Sequence, residues 1–169
     1  MFPPLTIFHD SDIHKEEIER IKIQLEETFS ITIKETKDKP LTSRFYNYFR
    51  RQYDGQKLLN MLIDKENEKY FLWMVSKDLY VPVMNFVFGL ASHEYGAIVS
   101  FHRLNSLEMK IKESIHECGH ILGLTHCQNH CVMQYSSSLD EAKNKPLNLC
   151  DSCKKNINDN AKKIDKNKD

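Results

Sequence analysis

Residues 116–131 read HECGHILGLTHCQNHC, and this stretch decides the fold because its spacing requires a helix followed by a turn. It holds four histidines, three cysteines and one glutamate, and imidazole and thiolate are common ligands of transition metals. His116 and His120 are four residues apart, which on an α-helix is about 40° of rotation and about 6 Å of rise. Both rings can therefore reach one ion from a single helix face.

Glu117 follows His116 directly and points too far round the helix to be a third ligand, yet it lies near enough to touch a water beside the metal. That is the position of the general base in HEXXH metallopeptidases. His126 comes ten residues after His116, so the chain must turn back before it can supply the third ligand. Gly123 is the expected turn, because glycine accepts the left-handed conformation that ends helices. A fourth position stays open, as catalytic zinc requires.

The cysteines predict a second metal site. Cys127 is adjacent to His126, and neighbouring side chains in an extended segment point in opposite directions, so Cys127 faces away from the catalytic ion. Two short-spaced cysteine pairs separated by a loop are the usual layout of a tetrahedral structural zinc. The four predicted ligands are Cys127, Cys131, Cys150 and Cys153.

Two residues of the opening stretch stay outside both sites. His130 could replace one cysteine as a ligand, but four cysteines suffice, and an exposed loop histidine is the preferred interpretation. Cys118 belongs to an apolar stripe and is interpreted as a buried core thiol rather than a redox or metal-binding group. The stripe consists of Leu107, Ile111, Ile115, Cys118 and Leu122. Asn105 and Glu108 are expected to cap this helix.

Alternation and helical spacing predict the remaining elements. A strand, a helix and a second strand at the start indicate a crossover between parallel strands. Asp54 is expected to cap a helix that carries Leu58, Leu59 and Leu62. The predicted ranges are strands at 4–8, 30–36, 69–76, 85–92 and 97–104 and a helix at 14–29, with residues 93–96 (HEYG) joining the last two strands as a hairpin.

Composition limits the possible functions. The chain has 169 residues, enough for one domain, and its 24 basic and 24 acidic residues balance. A chain without net charge has no field that steers it to nucleic acid or an anionic membrane. It has no apolar run of the roughly 18–20 residues that a membrane span needs. Its first residues lack the basic segment followed by an apolar segment that is typical of a secretory signal, so a cytoplasmic protein is expected. The basic and aromatic segment 37–52 is interpreted as a surface connection with tucked aromatic rings, and 154–169 as a frayed polar tail.

The motifs HECGHILGLTHC, CVM and CDSC resemble those of the archaemetzincins, zinc metallopeptidases of the metzincin clan, over roughly the last half of the chain. The resemblance implies catalytic zinc on His116, His120 and His126, with Glu117 as the base. It implies that Met133 is the residue of the Met-turn, packed beneath the metal. It also implies a structural zinc on the four cysteines, and so two zinc ions per chain. Three residues separate Cys127 from Cys131, one fewer than the family often has.

The implied fold is of the α/β class, zincin-like. A twisted, mostly parallel five-stranded sheet would carry an antiparallel edge strand, a backing helix and an active-site helix. A single catalytic domain is expected over 1–153, with an N-terminal subdomain at 1–123 and a short, zinc-bound C-terminal subdomain at 124–153. In metzincins the edge strand binds the substrate by main-chain pairing, and the candidate here is 85–92.

Tyr135, two residues after Met133, is similar to a tyrosine of astacins and serralysins that can approach the metal. It is a possible auxiliary ligand or oxyanion donor, and a tucked aromatic ring is the alternative.

These patterns favour a zinc-dependent metallopeptidase that acts on a peptide or protein and binds neither nucleic acid nor a membrane. The alternative is a non-catalytic, zinc-stabilised interaction module. The complete ligand set and Glu117 favour the enzyme.

Overall fold

The computed structural model describes residues 1–65 and 69–166. A five-stranded sheet lies at its centre, and a smaller three-stranded sheet lies to one side. In chain order the elements are β1 (Leu5–His9), α1 (Lys15–Phe29), β2 (Ile33–Asp38), β3 (Tyr46–Asn47), β4 (Gln52–Asp54), α2 (Gly55–Lys65), β5 (Phe71–Val75), β6 (Leu79–Tyr80), β7 (Gly89–Ser92), β8 (Gly96–Ser100), α3 (Leu107–Ile121), α4 (Leu139–Asn144) and α5 (Asp151–Lys166).

The order of the large sheet is β2-β1-β5-β8-β7. Its pairs are parallel except for β7 with β8, a hairpin in which Ser92 faces Gly96. The predicted mostly parallel sheet with an antiparallel edge strand is therefore confirmed. The crossover between β1 and β2 is α1, which buries the face formed by Ile18, Ile21, Leu25 and Phe29.

Alternate residues of a strand point to opposite sides of the sheet, so both faces carry apolar side chains. Helices cover both faces. On one face α1 and α3 pack against side chains such as Ile7, Leu72 and Val99. On the other face α2 packs against side chains such as Trp73 and Ile98. The Asp54 carboxylate accepts from the backbone N–H of Lys57 at 3.0 Å, so the predicted cap of α2 is confirmed.

Several boundaries differ from the prediction. β2 covers Ile33–Asp38 rather than 30–36, and β8 covers Gly96–Ser100 rather than 97–104. The cap of α3 is Ser106, whose hydroxyl accepts from the Met109 N–H at 3.2 Å, and not Asn105, which lies one residue too early for that bond. The edge strand covers Gly89–Ser92 and not the whole of 85–92. The carbonyl of Asn85 instead accepts from Gln52, and Val87 pairs with Leu79 of the small sheet.

The prediction of a frayed tail over 154–169 is wrong for the residues that the structure describes there. Residues 151–166 form α5, which buries Cys153 and Ile157 in the main core and packs Ala161 and Ile164 against it. These four residues are four, four and three positions apart, which is the spacing of one helix face. The sequence therefore contains a helical pattern among its lysines and asparagines. Residues 167–169 lie outside the described part of the chain. No helix of the described residues is long and apolar enough to cross a membrane.

Candidate metal centre and active site

The helix α3 brings His116 and His120 together. Their Nε2 atoms are 3.1 Å apart, and their ring centroids are 4.7 Å apart. Because residues four apart share a helix face, this pairing follows from the sequence. The helix is buried nearly all round from Lys112 to Ile121, on the side of its histidines as well as along its apolar stripe.

Backbone carbonyls orient both rings. The Nδ1 of His116 donates to the carbonyl of Val132 at 3.0 Å, and the Nδ1 of His120 donates to the carbonyl of Leu124 at 2.8 Å. A carbonyl can only accept, so each Nδ1 carries the hydrogen and each Nε2 presents a lone pair. This is the tautomer that a metal ligand needs, and the hydrogen bonds fix the ring orientation.

His126 joins the pair because the chain turns back after α3. Gly123 has a φ of +94°, and the N–H of Leu124 donates to the carbonyl of Gly119 at 2.8 Å. The ring of His126 lies 5.3 Å from that of His116 and 4.9 Å from that of His120, centroid to centroid. One nitrogen of each ring lies within 4.8 Å of the others, as a shared metal ion requires.

The three histidines are held in their neutral form. Burial lowers the pKa of His116 well below its usual range, and the positive charge of Lys145 acts in the same direction. Burial also lowers the pKa of His120 and of His126. A neutral imidazole is the form that binds a metal, so the three donor nitrogens fit a cation such as zinc.

Glu117 lies beside these rings, against the edge strand. A β-carbon at Gly89 would lie 2.6 Å from its Oε1, so only a glycine leaves room for the carboxylate there. Its Oε2 is buried and has no hydrogen-bond partner among the described residues. Burial raises the pKa of Glu117 to about 8, and the charge of Glu113 adds to the effect.

A buried ion pair lies next to this glutamate. The Nζ of Lys145 is 2.6 Å from Oε1 of Glu113, and both side chains are almost completely buried. Neither Glu113 nor Lys145 was predicted from the sequence to have a role. Nothing in the local sequence marks a lysine after α4 as buried. Breaking such a pair leaves an uncompensated charge in the core.

Met133 and Tyr135 lie on opposite sides of the histidines. Met133 is completely buried, and its sulfur would be 2.5 Å from a β-carbon at Gly119, so it packs against the helix between the two ligands. Tyr135 is half exposed, and its ring lies 5.1 Å from that of His126. Tyr135 therefore stands at the wall of the cleft and is not tucked into the core.

The four cysteines also come together. The sulfur atoms of Cys127, Cys131, Cys150 and Cys153 lie within 4.8 Å of one another. The sulfur atoms of Cys127 and Cys150 are 3.7 Å apart. The backbone N–H of Cys153 lowers the pKa of Cys150 to about 6, with further hydrogen bonds from Asn129 and the other thiols. Burial raises the pKa of Cys131 and of Cys153, so the thiols of the group differ before a metal binds. The convergence of four sulfur atoms is the donor set of a tetrahedral structural zinc, which holds its cysteines as thiolates.

His130 and Cys118 stay outside both groups. His130 is exposed, and the four-cysteine group of the described residues does not include it. Cys118 is completely buried in the main core, and burial raises the pKa of its thiol.

Two further side chains support the end of α3, and no sequence pattern indicated either of them. Asn160 of α5 donates from Nδ2 to the carbonyl of Leu122 at 3.2 Å. The Nδ1 of His93 donates to the carbonyl of His120 at 3.3 Å. The last carbonyls of a helix lack partners inside it, so these contacts stabilise the turn that leads to His126.

The histidines and Glu117 open into a cleft of about 670 Å³. One wall is apolar and comes from the segment before and within β7, including Val81, Met84, Phe86 and Phe88. The opposite wall carries the histidines, Tyr135 and two serines. The cleft therefore joins the three-histidine group to an apolar surface beside an edge strand.

Comparison with known proteins agrees with this geometry. Residues 16–159 match the family described as Peptidase family M54. The archaemetzincin of Nanoarchaeum equitans is 40% identical over 138 residues, which cover 81% of this chain and 80% of that protein. The crystal structure of the archaemetzincin of Archaeoglobus fulgidus is 32% identical with a TM-score of 0.82, over 90% of this chain and 99% of that one. That from Methanopyrus kandleri is 31% identical with a TM-score of 0.83, over 96% and 99%.

Proposed function

Because the chain belongs to the archaemetzincins, peptidase family M54, a family of zinc metallopeptidases, we propose that it hydrolyses peptide bonds with Glu117 as the general base. The observation that carries the proposal is the position of Glu117. Its carboxylate is buried beside three histidines whose free nitrogens converge, at the base of an open cleft.

His116, His120 and His126 would hold the catalytic zinc. When bound, such an ion supplies Lewis-acid activation of a water and of the substrate carbonyl. The chain contributes the orientation, because the carbonyls of Val132 and Leu124 fix two of the three rings before any ligand arrives. Met133 fills the space behind them.

Glu117 would accept the proton of the attacking water and then donate it to the leaving amine. Its carboxylate cannot swing toward β7, because the backbone of Gly89 closes that side. The ionised form is the one that accepts the proton, and a cation held by the neighbouring histidines would favour it.

The substrate would add a strand to β7. This strand is the edge of the sheet, and β8 occupies its other side. An extended peptide can therefore form main-chain hydrogen bonds with Gly89–Ser92 while its side chains reach the cleft. The strand available for pairing is shorter than the 85–92 expected from sequence.

The four cysteines would hold a second zinc with a structural role. They tie the segment that carries His126 to the start of α5, because Cys127 follows His126 and Cys150 immediately precedes α5. Two zinc ions per chain are therefore proposed.

Tyr135 is proposed as an oxyanion donor or auxiliary ligand, since it is half exposed and close to the ring of His126. Replacing Tyr135 with Phe removes only the hydroxyl. An unchanged rate of cleavage in Tyr135→Phe would leave Tyr135 as a wall residue.

A digest of a peptide library tests the main proposal. The zinc-loaded wild type should cleave it, while Glu117→Ala should bind as much zinc and cleave nothing. Glu108→Ala is the matched control, because Glu108 lies on the same helix but is exposed and pairs with Lys112 at 2.6 Å. Equal cleavage by Glu117→Ala and wild type would refute the mechanism, and no cleavage by the wild type would favour the interaction module.

A further inference from the structure

Two neighbouring turns beside the cleft carry large apolar side chains that are almost completely exposed. Phe49 is 103% exposed, Val83 is 92% exposed and Tyr48 is 78% exposed. We call these three residues the rim patch. Single exposed apolar residues are normal on protein surfaces, but a group on adjacent turns marks an interaction site. The expectation that the aromatic rings of 37–52 are tucked is thus wrong for Tyr48 and Phe49.

The two turns are tied together by polar contacts. Arg50 follows Phe49, and its Nη2 donates to the carbonyls of Met84 at 2.8 Å and Asn85 at 3.3 Å. Its guanidinium also lies 4.3 Å from the ring centroid of Tyr80. The turn that carries Val83 is closed by the Met84 N–H, which donates to the carbonyl of Val81 at 2.9 Å. The rim patch is therefore held in place before any partner binds.

The rim patch continues the apolar wall of the cleft. Val81 and Met84, which flank Val83 in its turn, both line the cleft together with Phe86 and Phe88. A chain that leaves the cleft along this wall would pass onto the rim patch, because Val83 lies between Val81 and Met84.

The edge strand sets the direction in which a substrate would leave. The first residue of β7, Gly89, lies against Glu117, and the residue after its end, His93, contacts the carbonyl of His120. A peptide that pairs antiparallel with β7 runs from the Ser92 end to the Gly89 end. In that antiparallel pairing, residues after the scissile bond would leave toward the segment 81–88.

We propose that the rim patch binds apolar side chains of the substrate on the C-terminal side of the scissile bond, beyond the residues held in the cleft. The proposal rests on the proposed function, because it takes the cleft as the place where a polypeptide is bound. It assigns a substrate class, namely extended polypeptides with exposed aromatic or aliphatic residues downstream of the cleavage point. In folded proteins such residues are mostly buried, so unfolded chains are the better substrates.

Binding of fluorescent peptides to zinc-loaded Glu117→Ala tests this without cleavage. A core peptide would be compared with peptides that carry Leu and Phe on either the C-terminal or the N-terminal side. The C-terminal extension should tighten binding at least about fivefold, and Phe49→Ser with Val83→Ser should remove that gain. Binding of the core peptide should not change. Ile23→Ser is the matched control, since Ile23 is 48% exposed on α1 and does not line the cleft.

Equal gains from both extensions, or a gain that survives Phe49→Ser with Val83→Ser, would overturn the proposal. Sedimentation of the same variants tests a second copy of the chain as the occupant. Self-association that Phe49→Ser abolishes, with peptide binding unchanged, would also overturn it. If the wild type cleaves but the two extended peptides bind equally well, only the rim-patch proposal fails and the proposed function stands. If the C-terminal extension binds more tightly but the wild type cleaves nothing, the proposed function fails and the rim patch remains as a peptide-binding surface.

Discussion

The backbone of Gly89 in β7 lies directly against the carboxylate of Glu117 in α3. A β-carbon at Gly89 would stand 2.6 Å from Oε1 and 2.7 Å from the Cγ and Cδ atoms of the glutamate. Real β-carbons do not come this close to other heavy atoms, so an alanine would force the carboxylate or the strand to move. The strand proposed to pair with the substrate thus also fixes the proposed base.

Gly89→Ala should therefore lower kcat at least about tenfold, because a base displaced by a fraction of an ångström loses its alignment. Zinc content should stay at the wild-type level, since the three histidines are untouched. Gly55→Ala is the control, because its β-carbon would crowd the end of the flexible Leu90 side chain, at 2.9 Å, and lie at an ordinary 3.6 Å from Leu79. Steady-state kinetics with zinc analysis would check this, and full activity of Gly89→Ala would contradict it.

Asn160→Ala should weaken the turn after α3. The carbonyl of Leu122 would lose its hydrogen bond, which typically costs about 1–2 kcal/mol at a partly buried site. For a chain of this size that corresponds to a fall of about 2–6 °C in Tm. The rate should also fall, since the same turn positions His126. Asn158→Ala is the control, because Asn158 is exposed on the same helix. A Tm and a rate equal to those of the wild type would show that α5 does not support the site.

Cys150→Ser should remove one zinc ion per chain and reduce cleavage as well. The structural donor set would lose one sulfur, and the peptide bond between His126 and Cys127 joins the two sites. Cys118→Ala should retain all the zinc, because Cys118 is a core residue outside both groups. Mass spectrometry of metal content and a peptide assay would check both variants. Unchanged zinc in Cys150→Ser would exclude a four-cysteine site.

Asp78 should make part of the stability dependent on acid pH. Burial alone raises the pKa of this carboxyl, but hydrogen bonds from Arg103, at 2.9 and 2.7 Å, and from Gln52 outweigh it and lower the pKa. Because the pKa of Asp78 is lower in the folded chain than in the unfolded chain, the ionised carboxylate stabilises the fold at pH values above the unfolded pKa of about 4. This stabilisation is lost as the pH falls through the folded pKa. Asp78 directly precedes β6, and neither Asp78 nor Arg103 belongs to the histidine group or the cysteine group.

The free energy of unfolding of Asp78→Asn should therefore be lower than that of wild type at pH 7, and the two should converge below about pH 4. Asp12→Asn is the control, since Asp12 and Lys77 form a pair that is largely exposed and should contribute little. Urea titrations from pH 7 to about pH 2.5 would measure both differences. A constant gap between Asp78→Asn and wild type across this range would rule out the ion pair as its source.

Much of the fold could be predicted because its signals are local. The spacing of Ile18, Ile21 and Leu25 indicated α1, and HEYG indicated the hairpin of β7 and β8. The predictions that failed are those in which a competing contact decided the outcome. Asn85 is drawn out of the edge strand by Gln52, and α5 gains its stability by burying Ile157 in a core that its polar composition did not suggest.

The sequence by itself determined which residues can act as metal donors and how the close pairs within each donor set are arranged. Residues four apart on a helix, or a few apart in a tight loop, have their relative positions set by backbone geometry, so His116 and His120 had to share a face. Only the tertiary structure decided what surrounds them: Gly89 against Glu117, Lys145 beside Glu113, and Asn160 on Leu122. These contacts join elements far apart in the chain. They depend on how β7, α4 and α5 pack around α3, which no local spacing specifies.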